Sequence, residues 1–152
     1  MTPSLDTFAT MRWTPLVLLV DPREAERVLY GNQLRQRGFS VLEAIDGEEA
    51  LWIARDFMPD LICIDLVVPK LDAFTLVERL KAIPLTSGIR VLAVTTMSYG
   101  GVLTHARAVG CDRILTRPCQ PERLAMEVSE LLGWPGGYRK PSGEWCTGAP
   151  EP

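Results

Sequence analysis

Several kinds of chemistry are missing from this chain. Histidine occurs once, at His105, and the four cysteines, Cys63, Cys111, Cys119 and Cys146, form no close pair. A zinc centre or a dithiol redox site needs such residues at short spacing. The cysteines therefore read as reduced thiols of a cytoplasmic protein. No run of Lys or Arg is longer than two, and the net charge is -3. Direct nucleic-acid binding is not expected, because a phosphate-backbone binder clusters its cations. No uninterrupted apolar run exceeds five residues, Leu16 to Val20 among them, whereas a membrane span needs roughly 18. The start lacks the basic and apolar regions of a signal peptide. No glycine precedes Gly31, so the glycine-rich loop of a nucleotide or flavin enzyme is missing from the early chain.

What remains is an ordinary core-forming composition. The chain has 152 residues, 47% of them hydrophobic and 23% charged, which suits one globular domain. Residues 1–13 are a polar lead-in. Beyond them, short apolar runs alternate with stretches of helical period. Leu16–Val20, Phe39–Glu43, Leu61–Ile64, Val91–Val94 and Arg113–Thr116 read as strands. Apolar stripes predict the intervening helices: Ala25, Val28 and Leu29; Ala50, Ile53, Ala54 and Phe57; Ala73, Leu76, Val77 and Leu80; Val102, Ala106 and Val109; Leu124, Val128, Leu131 and Leu132. Pro22 suits the first turn of the first helix, Gly38 and Gly110 close the first and fourth, and Gly100–Gly101 weakens the start of the fourth.

Five strand–helix units predict an α/β fold, a doubly wound parallel sheet with helices on both faces and right-handed crossovers. The domain is expected over residues 14–133. The tail 134–152 is rich in Gly and Pro and cannot hold a long helix or strand, though Trp134, Tyr138 and Trp145 could pack back.

In such sheets the site lies at the carboxyl ends of the strands. There stand Asp21, Asp65, Thr95 and Arg117, the last followed by Pro118. Each has a bland reading alone: Asp21 as a helix cap, Thr95 as a hydroxyl bonded to backbone, Arg117 as a surface ion pair. Asp65 has no basic neighbour in sequence to explain it. Together they suit phosphoryl chemistry. A carboxylate can attack phosphorus, carboxylates and a carbonyl can hold Mg2+, and a hydroxyl and a cation can bind phosphoryl oxygens.

The stretch Pro59-Asp60-Leu61-Ile62-Cys63-Ile64-Asp65-Leu66-Val67-Val68-Pro69 resembles the phosphoacceptor region of bacterial response-regulator receiver domains. Leu71-Asp72-Ala73-Phe74, Asp46-Gly47-Glu48-Glu49-Ala50-Leu51, Ala108-Val109-Gly110-Cys111-Asp112 and Thr116-Arg117-Pro118 are similar to further family motifs, in order and spacing. The resemblance covers about Leu16 to Leu132. It implies a five-stranded flavodoxin-like, CheY-like three-layer fold and a signalling phosphoprotein, not an enzyme. Asp65 would accept a phosphoryl group from a sensor histidine kinase or phosphotransfer protein, with Thr95 and Arg117 binding it. Asp21, Asp65 and the Val67 carbonyl would hold Mg2+. Pro118 would follow a cis peptide bond. A downstream protein would dock on the face of the fourth helix, fifth strand and fifth helix, and a homodimer is compatible with the same fold.

The pattern departs from the family at three positions. The second acid after the first strand is Pro22, which has no donor atom, so Mg2+ binding is expected to be weakened. The family's lysine is Arg117, longer and planar. The aromatic three residues before it is Ile114. These departures motivate an alternative, a degenerate pseudo-receiver that signals by contact without phosphorylation. An aspartyl phosphatase on this fold would want a second Asp at position 23, where Arg23 stands.

Overall fold

The computed structural model describes residues 14–97, 99–134, 138–139, 142 and 145–146. Five strands, β1 (Leu16–Val20), β2 (Ser40–Ala44), β3 (Leu61–Asp65), β4 (Arg90–Thr95) and β5 (Arg113–Thr116), alternate with five helices. The helices are α1 (Glu24–Gln36), α2 (Gly47–Phe57), α3 (Ala73–Ala82), α4 (Gly100–Val109) and α5 (Pro121–Leu132). The strands form one parallel sheet in the order β2-β1-β3-β4-β5. The α/β doubly wound architecture expected from the sequence is present. Two short strands, β6 (Tyr138–Arg139) and β7 (Trp145–Cys146), pair antiparallel beyond it.

The central strands β1, β3 and β4 are mainly apolar because both faces are covered, whereas the edge strands β2 and β5 carry Ser40, Glu43, Arg113 and Thr116. β3 is buried at every position. One face packs under α2, α3 and α4, around Ile62, Ile64, Ala54, Leu76, Leu80 and Ala106. The other packs under α1 and α5, around Leu19, Cys63, Tyr30, Leu34, Leu124 and Val128. Trp134, just past α5, is buried in this second face against Phe39, and its indole N–H donates to the Arg37 carbonyl at 3.2 Å.

Local chemistry sets the helix ends. Asp46 caps α2 by accepting the Glu49 N–H at 2.8 Å, and this bond holds its carboxyl below the usual range. Asp72 accepts the Phe74 N–H and so caps α3. Gly110 closes α4 at φ +118°, a conformation that disfavours side chains. Gly47 meets a different demand: a Cβ there would lie 2.0 Å from the Leu71 carbonyl oxygen. The start of α2 is thereby pressed onto the loop after β3, and the Gly47 N–H donates to the Pro69 carbonyl.

Two sequence expectations fail on packing. The stripe read for α1 is reversed: Ala25, Val28 and Leu29 are exposed, and the helix buries Tyr30, Gly31 and Leu34. Its inward face includes a glycine and a tyrosine, so counting aliphatic residues selects the wrong side. Pro22 precedes α1, since Arg23 is the N-cap. On α2, Ala50, Ile53 and Ala54 are buried as expected, but Phe57 is half-exposed and stacks edge-on against Trp52. The stripes of α3 and α5 pack as the sequence implies.

The strand order reverses between β1 and β3, which lie side by side, with Val20 paired to Ile64. The next residue on each strand is therefore an aspartate, and the two carboxylates stand together at the switch point.

Candidate functional site

Asp21 and Asp65 are both buried, and Thr95 at the end of β4 is buried beside them. Arg117 reaches in from the end of β5, where the Arg117–Pro118 peptide bond is cis. Four sequence-predicted residues thus come to one rim. The Thr95 hydroxyl accepts the Met97 backbone N–H at 2.9 Å. Val67 stands on the loop after β3, its N–H donating to Asp65 Oδ1 at 2.8 Å.

The carboxylates do not wait for partners. Arg23 crosses the pocket and donates from Nη2 to Asp65 Oδ2 at 2.7 Å. It also donates to Asp21, from Nε to Oδ1 at 3.2 Å and from Nη2 to Oδ2 at 3.3 Å. Its backbone N–H closes a tight turn onto Asp21 Oδ1 at 2.9 Å. Arg117 Nη2 donates to Asp21 Oδ2 at 3.0 Å and to Asp65 Oδ2 at 3.3 Å. Asp65 has no basic neighbour in sequence, and both its cationic partners come from distant positions, Arg117 from 52 residues downstream. Its partner Arg23 lies 42 residues upstream, where the sequence gives no hint of contact.

Arg117 has a second set of partners on α1. Its Nη1 donates to Glu26 Oε2 at 2.6 Å and to the Tyr30 hydroxyl at 3.0 Å. The Tyr30 hydroxyl donates onward to the Cys119 carbonyl at 3.2 Å, and the guanidinium carbon sits 5.5 Å from the Tyr30 ring centre. Arg117 Nε is buried with no hydrogen-bond partner, a donor that costs about 1–3 kcal/mol while unanswered. Burial pushes the Tyr30 hydroxyl up to about 12, although Arg117 pulls the other way. The Asp21 hydrogen bond raises Arg23 further above its ordinary value, against the opposing effect of burial. A cavity of about 460 Å3 opens beside this network, lined by Glu26, Tyr30, Thr96, Arg117 and Pro118 among others.

Arg23, Glu26 and Tyr30 were not legible as site residues. Glu26 and Tyr30 are four apart on one helix face, a spacing that presents two side chains to a common partner. The signal for Arg23 was its place two residues after Asp21, where an Asx-type turn folds the chain back. The remaining residues of interest are peripheral. Ile114 is half-buried against the first core face, and exposed His105 meets the Phe74 ring edge-on at 4.3 Å. The Cys63 thiol is pushed far up by burial, and that of Cys111 up to about 11.

Known proteins resemble this chain in sequence and fold. DivK, a polar-differentiation response regulator of Brucella ovis, is 28% identical over 120 residues, covering 79% of this chain and 98% of DivK. The transcriptional regulator RpaA of Synechocystis is 33% identical over 118 residues, 78% of this chain but 49% of RpaA. The chain thus spans about half the length of the first transcriptional relatives it matches. The solved structure of the chemotaxis response regulator CheY4 of Vibrio cholerae superposes with a TM-score of 0.74 at 28% identity, over 78% of this chain and 99% of CheY4. Residues 17–129 match the sequence model of the response regulator receiver domain. With two carboxylates at the β1–β3 switch point and a match running from β1 into α5, the chain belongs to the response-regulator receiver family.

Proposed function

We propose that this chain works as a phosphoacceptor receiver in two-component signalling, taking a phosphoryl group on Asp65 from a sensor histidine kinase or phosphotransfer protein. One observation carries the reading. Asp65 ends the central strand with one oxygen on the Val67 N–H and the other facing two guanidinium groups. A nucleophilic carboxylate is thus oriented, and the cations that would meet incoming phosphoryl oxygens are already in place. In the transfer, an Asp65 oxygen bonds to phosphorus as the donor's P–N bond breaks, and the electron pair leaves with the donor imidazole. Thr95 and Arg117 would hold the phosphoryl group.

The proposed extent is residues 14–133, with 1–13 as a lead-in and 134–152 as a tail. The proposed output surface for a downstream protein is the face of α4, β5 and α5, which could also serve a homodimer. No helix among the described residues is long and apolar enough to cross a membrane, and a cytoplasmic location remains part of the proposal.

Receiver domains generally bind Mg2+ at this pocket. The residues expected to hold it here, Asp21, Asp65 and the Val67 carbonyl, do not fit the ion. Pro22 removes the second acid, and no group of three or more His, Cys, Asp or Glu suited to a metal stands among the described residues. Each carboxylate oxygen has about two lone pairs to offer. Asp21 Oδ1, Asp21 Oδ2 and Asp65 Oδ2 each already accept two N–H groups.

The test is intact-mass spectrometry after incubation with phosphoramidate, whose P–N bond mimics phosphohistidine, beside Asp65→Asn. A single phosphoryl adduct on the native protein alone is expected. No adduct with this donor or a panel of histidine kinases would instead support a contact-signalling module.

A further inference from the structure

We infer that the Arg23 guanidinium takes the place of the divalent cation in this pocket, so that Asp65 accepts a phosphoryl group from a small acyl phosphate without added metal. The inference rests on the phosphoacceptor reading above and extends it to the cation requirement.

Charge comes first. Asp21, Asp65, Arg23 and Arg117 form one connected cluster of salt bridges in which two guanidiniums balance the two aspartates, and Glu26, bonded to Arg117, leaves the whole at a single negative charge. A dication approaching it meets two cations at the aspartates, and it must displace a guanidinium to reach a lone pair on Asp21 or on Asp65 Oδ2. The position is not shared with a spare carboxylate. Residue 22 is a proline, and Glu24, the next acid, is exposed on the first turn of α1.

Geometry comes second. Arg23 touches both aspartates at once, which is the bridging a metal would otherwise perform. Arg117 Nη2 also reaches both aspartates, but its other arm is held by Glu26 and Tyr30. Arg23 has no such second anchor, and its side chain is 49% exposed against 10% for Arg117. A half-exposed planar guanidinium can swing Nη2 from Asp65 Oδ2 to phosphoryl oxygens while its Nε and backbone N–H stay on Asp21 Oδ1. Guanidinium is suited to that grip, since its paired N–H groups match two phosphoryl oxygens. In the reaction the Asp65 Oδ2–P bond forms as the bridging O–P bond of the acyl phosphate breaks. The electron pair departs with the carboxylate leaving group.

The experiment is labelling with acetyl phosphate, read by intact mass, in EDTA and in millimolar Mg2+. The native protein, Arg23→Ala, Arg23→Lys and Asp65→Asn are compared. The exposure of Arg23 makes its substitutions compatible with the fold, which a far-ultraviolet spectrum checks. Native protein should label to the same extent within about twofold in both buffers. Arg23→Ala should fall about tenfold or more in EDTA, the scale of one strong charge-assisted contact, and recover with Mg2+. Arg23→Lys, which keeps the charge and loses the paired N–H grip, should label in EDTA between native protein and Arg23→Ala. Native labelling that needs Mg2+ would overturn the inference and leave the phosphoacceptor reading standing. No adduct on the native protein in either buffer or with phosphoramidate would overturn both.

A second measurement isolates the cation. The thermal midpoint of native protein should not move with Mg2+, whereas that of Pro22→Asp/Arg23→Ala, which restores a paired acid and removes the guanidinium, should rise. An equal rise in both proteins would overturn the assignment of Arg23 whatever the labelling shows.

Discussion

The two faces of the sheet are built differently. The face under α2, α3 and α4 is mainly aliphatic, with Leu76, Leu80, Ile62 and Ala106 in one cluster. The face under α1 and α5 also buries a phenol, Tyr30, whose hydroxyl is wired to Arg117 and through it to both aspartates. The first face meets the site at Thr95, which follows Val91 and Ala93 in alternation along β4. The other is a core and the floor of the site together, so a change in Arg117 reaches its packing directly.

That contrast can be pressed experimentally, and the largest effect is expected on the apolar face. Leu76→Ala opens a cavity in a fully buried position and should cost about 2–5 kcal/mol in chemical denaturation. It should leave phosphoryl labelling of the folded fraction unchanged. Gly47→Ala drives a methyl into the Leu71 carbonyl and should cost about 1–3 kcal/mol. Because it shifts the loop after β3, it should also slow labelling at Asp65, and unchanged labelling would show that the loop yields without moving Val67.

On the mixed face the expected cost is smaller and depends on pH. Tyr30→Phe removes a hydroxyl that links Arg117 to the Cys119 carbonyl, worth about 1 kcal/mol. Its folded pKa, about 12, lies above the ordinary 10.0. The folded state therefore keeps a proton that the unfolded state loses, and stability falls as pH rises from 10 toward 12. Tyr30→Phe should unfold less steeply than native protein across that alkaline window, and equal slopes would break the link between Tyr30 and the site. The smallest effect belongs to Val28→Ala. That side chain is 49% exposed, so the change should stay within about 0.5 kcal/mol. A large loss would mean that the outer surface of α1 is covered in solution.

The legibility of the sequence follows the same division. Helix α3 could be read from its stripe because Ala73, Leu76, Val77 and Leu80 are aliphatic and their neighbours polar. Helix α1 could not, because its inward residues include Gly31 and Tyr30, one without a side chain and one with a polar end. At the rim, Asp21, Asp65, Thr95 and Arg117 were accessible because strand ends converge in a parallel sheet. Arg23 was not, because a long side chain can span a pocket in a direction that periodicity does not encode. Thr95 illustrates the remaining gap. Its position was evident, but its hydroxyl is engaged with Met97, a choice made by a loop of few residues.

Trp134 carries a consequence for how the chain leaves the domain. Helix α5 returns from the rim, and its twelve residues span roughly 18 Å at the usual rise. At its far end the indole is locked against Phe39 and the Arg37 carbonyl, beside the beginning of β2. Residue 134 therefore lies at the amino-terminal edge of the sheet, opposite the acidic pocket. Arg117 is tied to that end of the sheet through α1 as well as α5: Glu26 and Tyr30 at one end of α1 bond Arg117, and its C-cap Arg37 holds the indole at the other.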